Sequence, residues 1–411
     1  ASTSPRRPHV RPVRVARSGG GIGFNGIVVG GLPMGFLFWS LVMTAFVGFG
    51  LWPPSTHGPR ATLPYLLGTV SSELYLVMVV FLVAPTTLAL LDGDLDLPAD
   101  AGVLVLPALA LAGIGVALRR AVRTRGVLES ALAEGLGLRT SLRPWTDLGD
   151  VVRVVVAPVR WTRRDVVRVK DLRYGNAPGR ANRLDLYRSR TGPAVGPVLV
   201  YFHGGGYFSG AKSREARLLL ERLAGRGWVC VSANYRLRPA RFPAQVEDAK
   251  RVIAWLRSEG AAWGADPRRI LLTGGSAGAH LAMICALTAN EPRFQPGFEE
   301  VDTSVAGAVG CYGYYGSVTE EPGSSPHDYV RADAPPIMII HGTQDPMAPL
   351  HAARAFAATL RAGSSGAVVL AELPGGLHAF DKFASIRSAA VASAIEVFAT
   401  SAVSDDRCGA G

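Results

Sequence analysis

The chain has 411 residues, a formal net charge of +11 and a mean hydropathy of +0.22. That length admits two domains, or one catalytic domain with a sizeable extension. The charge does not indicate a nucleic-acid partner: Arg6, Arg7, Arg11, Arg14 and Arg17 crowd the N-terminus, Arg119, Arg120, Arg123 and Arg125 follow an apolar span, and no aromatic-interleaved basic platform joins them.

In chain order, residues 1–22 form a basic tail and residues 23–120 are expected to form an all-α transmembrane region. Its apolar runs, about Gly26–Leu51, Leu74–Leu91 and Ala101–Leu118, each approach the roughly 20 residues that a bilayer-spanning helix needs. Trp52 marks an interface after the first, and Pro64, Tyr65 and Glu73 precede the second. A multi-pass protein of the cell membrane follows. With Arg60 counted in the first loop, both orientations put five arginines on each side, and only the weight of the first helix leans towards an extracytoplasmic catalytic domain. Residues 121–160 read as a linker, with an amphipathic stretch over Val127–Leu138 that suits a membrane surface.

Residues 161–403 change pattern to short β-rich runs alternating with helical segments, which signals a mostly parallel sheet of eight strands with helices on both faces. Strands are expected over Val166–Val169, Leu184–Tyr187, Val198–Phe202, Trp228–Ala233, Ile270–Thr273, Val305–Cys311, Pro336–Ile340 and Val368–Leu373, the first two antiparallel at the sheet edge. Helices are expected over Ser213–Arg226, Pro243–Glu259, Ala277–Ala289, Leu350–Ala362 and Ala384–Thr400, and residues 404–411 form a C-terminal tail. Cys230, Cys285, Cys311 and Cys408 lack metal-ligand spacing and read as structural thiols. No metal or organic cofactor is expected, because there is no H-E-x-x-H, P-loop or thiol cluster.

Active sites on such sheets form beyond the carboxyl ends of the strands. The fifth strand enters Gly274-Gly275-Ser276-Ala277-Gly278, a G-x-S-x-G turn whose small flanks allow a sharp strand-to-helix elbow. His203-Gly204-Gly205-Gly206 follows the third strand, Asp345 the seventh and His378 the eighth. Serine becomes a nucleophile when an imidazole accepts its proton, and a carboxylate orients that imidazole. Ser276, His378 and Asp345 fill these roles, with the amides of Gly205, Gly206 and Ala277 as an oxyanion hole. His280, His203 and His341 read as structural, and Asp328 and Asp333 are the alternatives to Asp345. The aromatic-rich insertion from Tyr312 to Arg331 is a candidate small lid, with Tyr207, Phe208, Tyr312 and Tyr315 as candidate substrate-binding residues.

These motifs resemble those of the α/β-hydrolase fold esterases. The His203-Gly204-Gly205-Gly206 run is similar to the oxyanion motif of the hormone-sensitive lipase family, and Ser276 to Ala282 to the elbow of kynurenine formamidases and related carboxylesterases. Relatives usually have an aspartate before the serine, a second glycine after the elbow and His-Gly-Phe around the base; this chain has Gly275, Ala279 and His378-Ala379-Phe380. The resemblance implies a serine esterase or lipase; the preceding spans make it membrane-anchored, and an aromatic pocket beside a membrane suits an apolar acyl ester or lipid-like substrate. A membrane transacylase with the same triad and a non-catalytic membrane protein on a hydrolase scaffold are the competing readings.

Overall fold

The computed structural model describes residues 28–29, 32–54, 62–95, 101–143, 162–320 and 322–404. The basic tail, residues 144–160 of the expected linker, residue 161 and most of the C-terminal tail lie outside the described residues.

Among the described residues, four α-helices precede the sheet: α1 Met34–Leu51, α2 Thr62–Glu73, α3 Tyr75–Leu91 and α4 Val105–Leu136. Met43, Val47 and Leu51 of α1, Tyr75, Met78 and Leu82 of α3, and Ala110, Ile114 and Ala117 of α4 pack into one apolar cluster. The expected second span meets a sharp bend at its start: α2 and α3 join at Leu74 with an 86° change of direction.

The expected boundary at residue 120 falls inside α4. Arg119, Arg120, Arg123 and Arg125 are good helix formers, so the helix runs on for 32 residues, about 48 Å at 1.5 Å per residue, and ends only where Gly137 turns left-handed at φ 69. The amphipathic stretch therefore does not lie on a membrane surface: Leu128, Ala131 and Leu132 are buried in the core of the sheet domain.

That domain is an eight-stranded sheet of β1 Val166–Arg173, β2 Arg183–Ser189, β3 Gly196–Phe202, β4 Val229–Ala233, β5 Ala265–Gly275, β6 Gly307–Cys311, β7 Ile337–Gly342 and β8 Val368–Leu373. The spatial order is β8-β7-β6-β5-β3-β4-β2-β1. β2 pairs antiparallel with both β1 and β4, and the other pairings are parallel. Alternation along β3 sends Leu199 and Tyr201 to one face and Val198, Val200 and Phe202 to the other. The first face is covered by the C-terminal half of α4, α5 Arg217–Ala224 and α9 Ile386–Ser404. The second is covered by α6 Ala244–Glu259, α7 Ala277–Leu287 and α8 Leu350–Gly363. This is the α/β-hydrolase arrangement, with α4 reaching from the N-terminal cluster to serve as one of its layer helices. Helix α5 starts four residues later than expected, because Ala216 is left-handed at φ 55 and Glu215 is held by the Gly204 amide.

By length and composition α1, the stretch Ala101–Leu136 and α9 are each apolar enough to cross a membrane, as are Leu66–Glu73 and Tyr75–Leu91 together. Helix α9 is mostly buried against the sheet, through Val391, Ile395 and Phe398 among others, so its apolarity belongs to the core.

Candidate active site

β5 delivers Ser276 onto a turn at φ 55, ψ −119, a backbone conformation that side chains other than glycine rarely adopt. The turn closes only because its flanks carry no side chain: a Cβ on Gly278 would stand 2.0 Å from the Phe202 carbonyl oxygen, and one on Gly274 would stand 2.4 Å from the Gly278 backbone. The residue before the serine is a glycine for a local reason. The Tyr312 hydroxyl occupies the space, 2.3 Å from where a Gly275 Cβ would sit.

Three loops meet at this turn. His378 Nε2 lies 2.9 Å from Ser276 Oγ, and its Nδ1 lies 2.8 Å from Asp345 Oδ2. Asp345 also accepts the amides of Met347 and Ala348 at 2.8 and 2.9 Å. Burial works against ionising this carboxyl, but the facing His378 and the Ala348 amide outweigh it and hold Asp345 below the ordinary carboxylate range. Ala379, directly after the histidine, takes the left-handed φ of 56, a conformation that favours glycine.

Gly205 and Gly206, at φ 113 and 61, follow β3 beside the serine. Among the described residues their amides and that of Ala277 donate no hydrogen bond, so all three remain available to a developing oxyanion. Glu215 fixes the loop by accepting the Gly204 amide at 2.7 Å and the Tyr201 hydroxyl at 3.0 Å.

His280, His203 and His341 have structural engagements. Burial pushes His280 down to about 4; its Nδ1 accepts from the Tyr207 hydroxyl at 2.7 Å and its Nε2 donates to the Ser324 carbonyl at 2.9 Å. His203 Nδ1 donates to the Gly204 carbonyl at 2.7 Å, and the ring stacks on Tyr235. His341 Nε2 donates to the Ala348 carbonyl at 2.8 Å. Asp328 closes a capping box with Ser325, and Asp333 pairs with Arg331, so neither faces His378.

A cleft of about 840 Å³ opens from Ser276 between the Gly206–Tyr207 loop, the Arg238–Phe242 loop and residues Ser317–Glu320. Tyr207 and Tyr314 line it, as does part of the expected lid segment. Three other aromatic expectations need correction. Tyr312 is buried behind the site: its hydroxyl donates to Asp381, and its ring packs edge-on against His378 with centroids 5.0 Å apart. Tyr315 is buried with its ring stacked on Phe356. Phe208 points outward, 65% exposed, and is not part of the cleft wall. In each case backbone direction after a strand end, which composition does not encode, decided where the ring went.

Several residues at the site escaped sequence reasoning. Burial and then the nearby Glu215 raise the Asp381 carboxyl from the ordinary 3.8 to about 7, although the Tyr312 hydroxyl bonded to it works the other way. A folded-state value above the unfolded one stabilises the protein below about pH 4, and this contribution is lost as the pH rises through about 7. Asp381→Asn should therefore flatten the pH dependence of the unfolding midpoint between about pH 4 and 7. An unchanged slope would place the titrating group elsewhere. Glu73, a lone carboxylate between apolar runs, is the one such residue with a sequence signal. It lies 3.4 Å from Arg387 Nε and accepts the Ser385 hydroxyl at 2.7 Å, both in the segment after His378.

The BD-FAE family model matches residues 184–321. LipM of Mycobacterium tuberculosis, described as a probable carboxylic ester hydrolase, is 40% identical over 309 residues, covering 66% of this chain and 71% of that protein. The chain belongs to that family of ester hydrolases. Within the family, the esterase LipQ of the same organism is 41% identical over 266 residues, covering 57% of this chain but only 63% of LipQ. Among solved structures, a truncated carbohydrate esterase from gut microbiota superposes with TM-score 0.54 at 20% identity, covering 60% of this chain and 100% of that one, a likeness of fold alone. Thermogutta terrifontis esterase 2 phosphoramylated by tabun gives TM-score 0.50 at 26% identity, covering 57% of this chain and 92% of that one.

Proposed function

We propose that this protein is a membrane-anchored serine hydrolase that cleaves carboxylic esters through an acyl-enzyme. The observation that carries the reading is the relay Ser276–His378–Asp345, at 2.9 and 2.8 Å, beside three backbone amides without a partner among the described residues. Ser276 Oγ attacks the acyl carbon as His378 Nε2 takes its proton, and the carbonyl oxygen, now negative, turns to the amides of Gly205, Gly206 and Ala277. His378 then gives the proton to the leaving alcohol oxygen as the ester C–O bond breaks. Water attacks the acyl-serine by the same route in reverse roles, releasing the acid and restoring Ser276. Asp345 stays ionised throughout, holding the imidazole in the tautomer that presents Nε2 to the serine.

The membrane reading draws on the outward faces of the N-terminal helices. Phe38 and Leu41 of α1, Phe81 and Leu88 of α3 and Leu109 of α4 are exposed, so these helices are apolar on the side away from their own cluster as well. Leu51, Glu73 and Arg120 touch the catalytic domain, so the start of α1 and the α3–α4 connection lie at the opposite end. Three crossings then put the start of α1 and the catalytic domain on opposite sides of the bilayer.

The cleft argues for an ester that carries negative charge. Arg238 and Arg241 line it, and neither makes an ion pair or side-chain hydrogen bond among the described residues, against the lone carboxylate of Glu320. Neighbouring Arg236 is neutralised by Glu247 and Asp248 and contributes no spare charge. For matched esters with and without a carboxylate or phosphate, the ratio of kcat/KM values should favour the anion, and Arg238→Gln with Arg241→Gln should lower that ratio roughly tenfold, the worth of one charge-assisted bond. A ratio unmoved by both substitutions would reject the anionic preference.

The test of the hydrolase reading is covalent labelling by an alkyl fluorophosphonate, with the modified residue located by peptide mass analysis. The tabun adduct of the Thermogutta esterase makes an organophosphorus probe a suitable choice. Labelling is expected at Ser276; an unlabelled folded protein would reject the reading.

A further inference from the structure

The strand that leads to His378 lies at the edge of the sheet: among the described residues β8 has a strand neighbour on one side only. Its following loop must be held by something other than the sheet. The backbone ties it first to the Asp345 loop, through Gln344 N–H to the Gly376 carbonyl at 3.1 Å and Gly375 N–H to Thr343 Oγ1 at 2.8 Å. These two loops then rest as one unit on the N-terminal helices. Gln344 Nε2 donates to the Leu51 carbonyl, in the last turn of α1, at 2.9 Å. Arg120, from the middle of α4, donates through Nη1 to Gln344 Oε1 at 3.1 Å and to the same Leu51 carbonyl at 3.4 Å. Its stem fits against Gly375, where an added Cβ would come within 2.5 Å of Arg120 Cδ. Leu377 packs against Gly68 of α2 in the same way, with 3.0 Å from its Cδ1 to the Cβ position.

We infer that Arg120 and Gln344 form a latch, closed on the carbonyl end of α1, that positions Asp345 and His378 against Ser276, so that the membrane region completes the catalytic geometry as well as anchoring it. The inference rests on the serine-hydrolase reading above. Its physical basis is that α1 ends with carbonyls that have no partner within the helix and with the negative end of its dipole. A guanidinium and an amide donor satisfy them, so pulling the latch apart leaves polar groups unmatched at a partly buried junction. Displacement of a catalytic group by about 1 Å costs about 100-fold in rate, so even a small relaxation of these loops registers in kcat. Neither Arg120 nor Gln344 lines the cleft, so substrate binding is not their task.

The experiment uses the full chain in detergent or a reconstituted bilayer, with a short-chain p-nitrophenyl ester and an alkyl fluorophosphonate. Arg120→Ala and Gln344→Ala are compared singly and together, with unfolding temperature recorded for each. The expected result is a fall in kcat of about 10- to 100-fold with KM within about twofold. The rate constant for labelling Ser276 should fall in step, and the double variant should be no worse than the poorer single one, because both residues serve one contact. Arg120→Lys, which keeps the charge and loses the fork, should recover part of the loss. Should Arg120→Ala lower the unfolding temperature markedly, Gln344→Leu, close in shape and unable to bond, carries the same comparison. A rise in KM at constant kcat, additive losses or unchanged kinetics would each overturn the latch. A wild-type protein that is neither labelled nor active fails the Ser276 reading itself, and the latch falls with it.

Discussion

Ser276→Ala is expected to lower ester turnover by about 10⁴- to 10⁶-fold and to abolish fluorophosphonate labelling. The loss is large because alanine leaves no atom able to form the acyl-enzyme, and water must then attack directly. On the proposed mechanism, the remaining rate is expected to come from the amides of Gly205, Gly206 and Ala277, which would still face the oxyanion without the serine. His378→Ala should cost nearly as much, since among the described residues Ser276 Oγ has its proton acceptor only in His378 Nε2 at 2.9 Å. The double variant should be no slower than either single one, because the two residues act as one unit. The decisive measurement is turnover of a single ester by all three variants, each shown to be folded. His378→Ala that retains activity would mean that another group accepts the serine proton. His280 is poorly placed for that, being buried and bonded on both nitrogens.

Arg387→Ala is expected to destabilise the protein by about 3–5 kcal/mol, the cost of leaving a buried carboxylate without its counter-charge. Both Glu73 and Arg387 are almost wholly inaccessible, at 1% exposure each, so solvent offers no substitute partner. The effect should reach the site, because Arg387 Nη1 lies 2.9 Å from where a Gly376 Cβ would stand, directly beneath the His378 loop. Adding Glu73→Ala to the variant removes the orphaned charge and should recover part of the loss, as replacing a whole buried pair costs less than breaking it. Urea or thermal unfolding of wild type, both single variants and the double gives the coupling energy directly. If the double variant is less stable than Arg387→Ala alone, the carboxylate is not stranded by loss of the arginine and the pair is not a coupled unit.

The local pieces of the site were legible because each has a chemical signature within a few residues. A glycine-flanked serine after an apolar run, glycines after a strand, and a carboxylate and an imidazole at later strand ends have few alternative uses in that order. The eight strands were readable for a similar reason: most are short apolar runs rich in β-branched residues and bounded by turn residues, as in Val198–Phe202 and Val368–Leu373. Long-range choices were less legible. Tyr312 and Tyr315 looked like pocket aromatics because both follow a strand near the serine, yet the backbone at Tyr312 turns left-handed at φ 40 and points its ring inward. The arginines after Leu118 looked like the end of a span and the start of a linker. Charge alone does not stop a helix, and the next apolar residues found a sheet to cover.

The sequence by itself determined the chemistry: which serine, histidine and aspartate could form a relay, and that apolar helices precede them. Those properties depend on residue type and near neighbours, which a linear chain records. Only the tertiary structure decided that α4 belongs to both halves of the protein, that Glu73 meets Arg387 from more than 300 positions away, and that Arg120 and Gln344 close on α1 behind the two catalytic loops. Such contacts arise where separately encoded surfaces come to rest against one another, and no local pattern specifies that meeting.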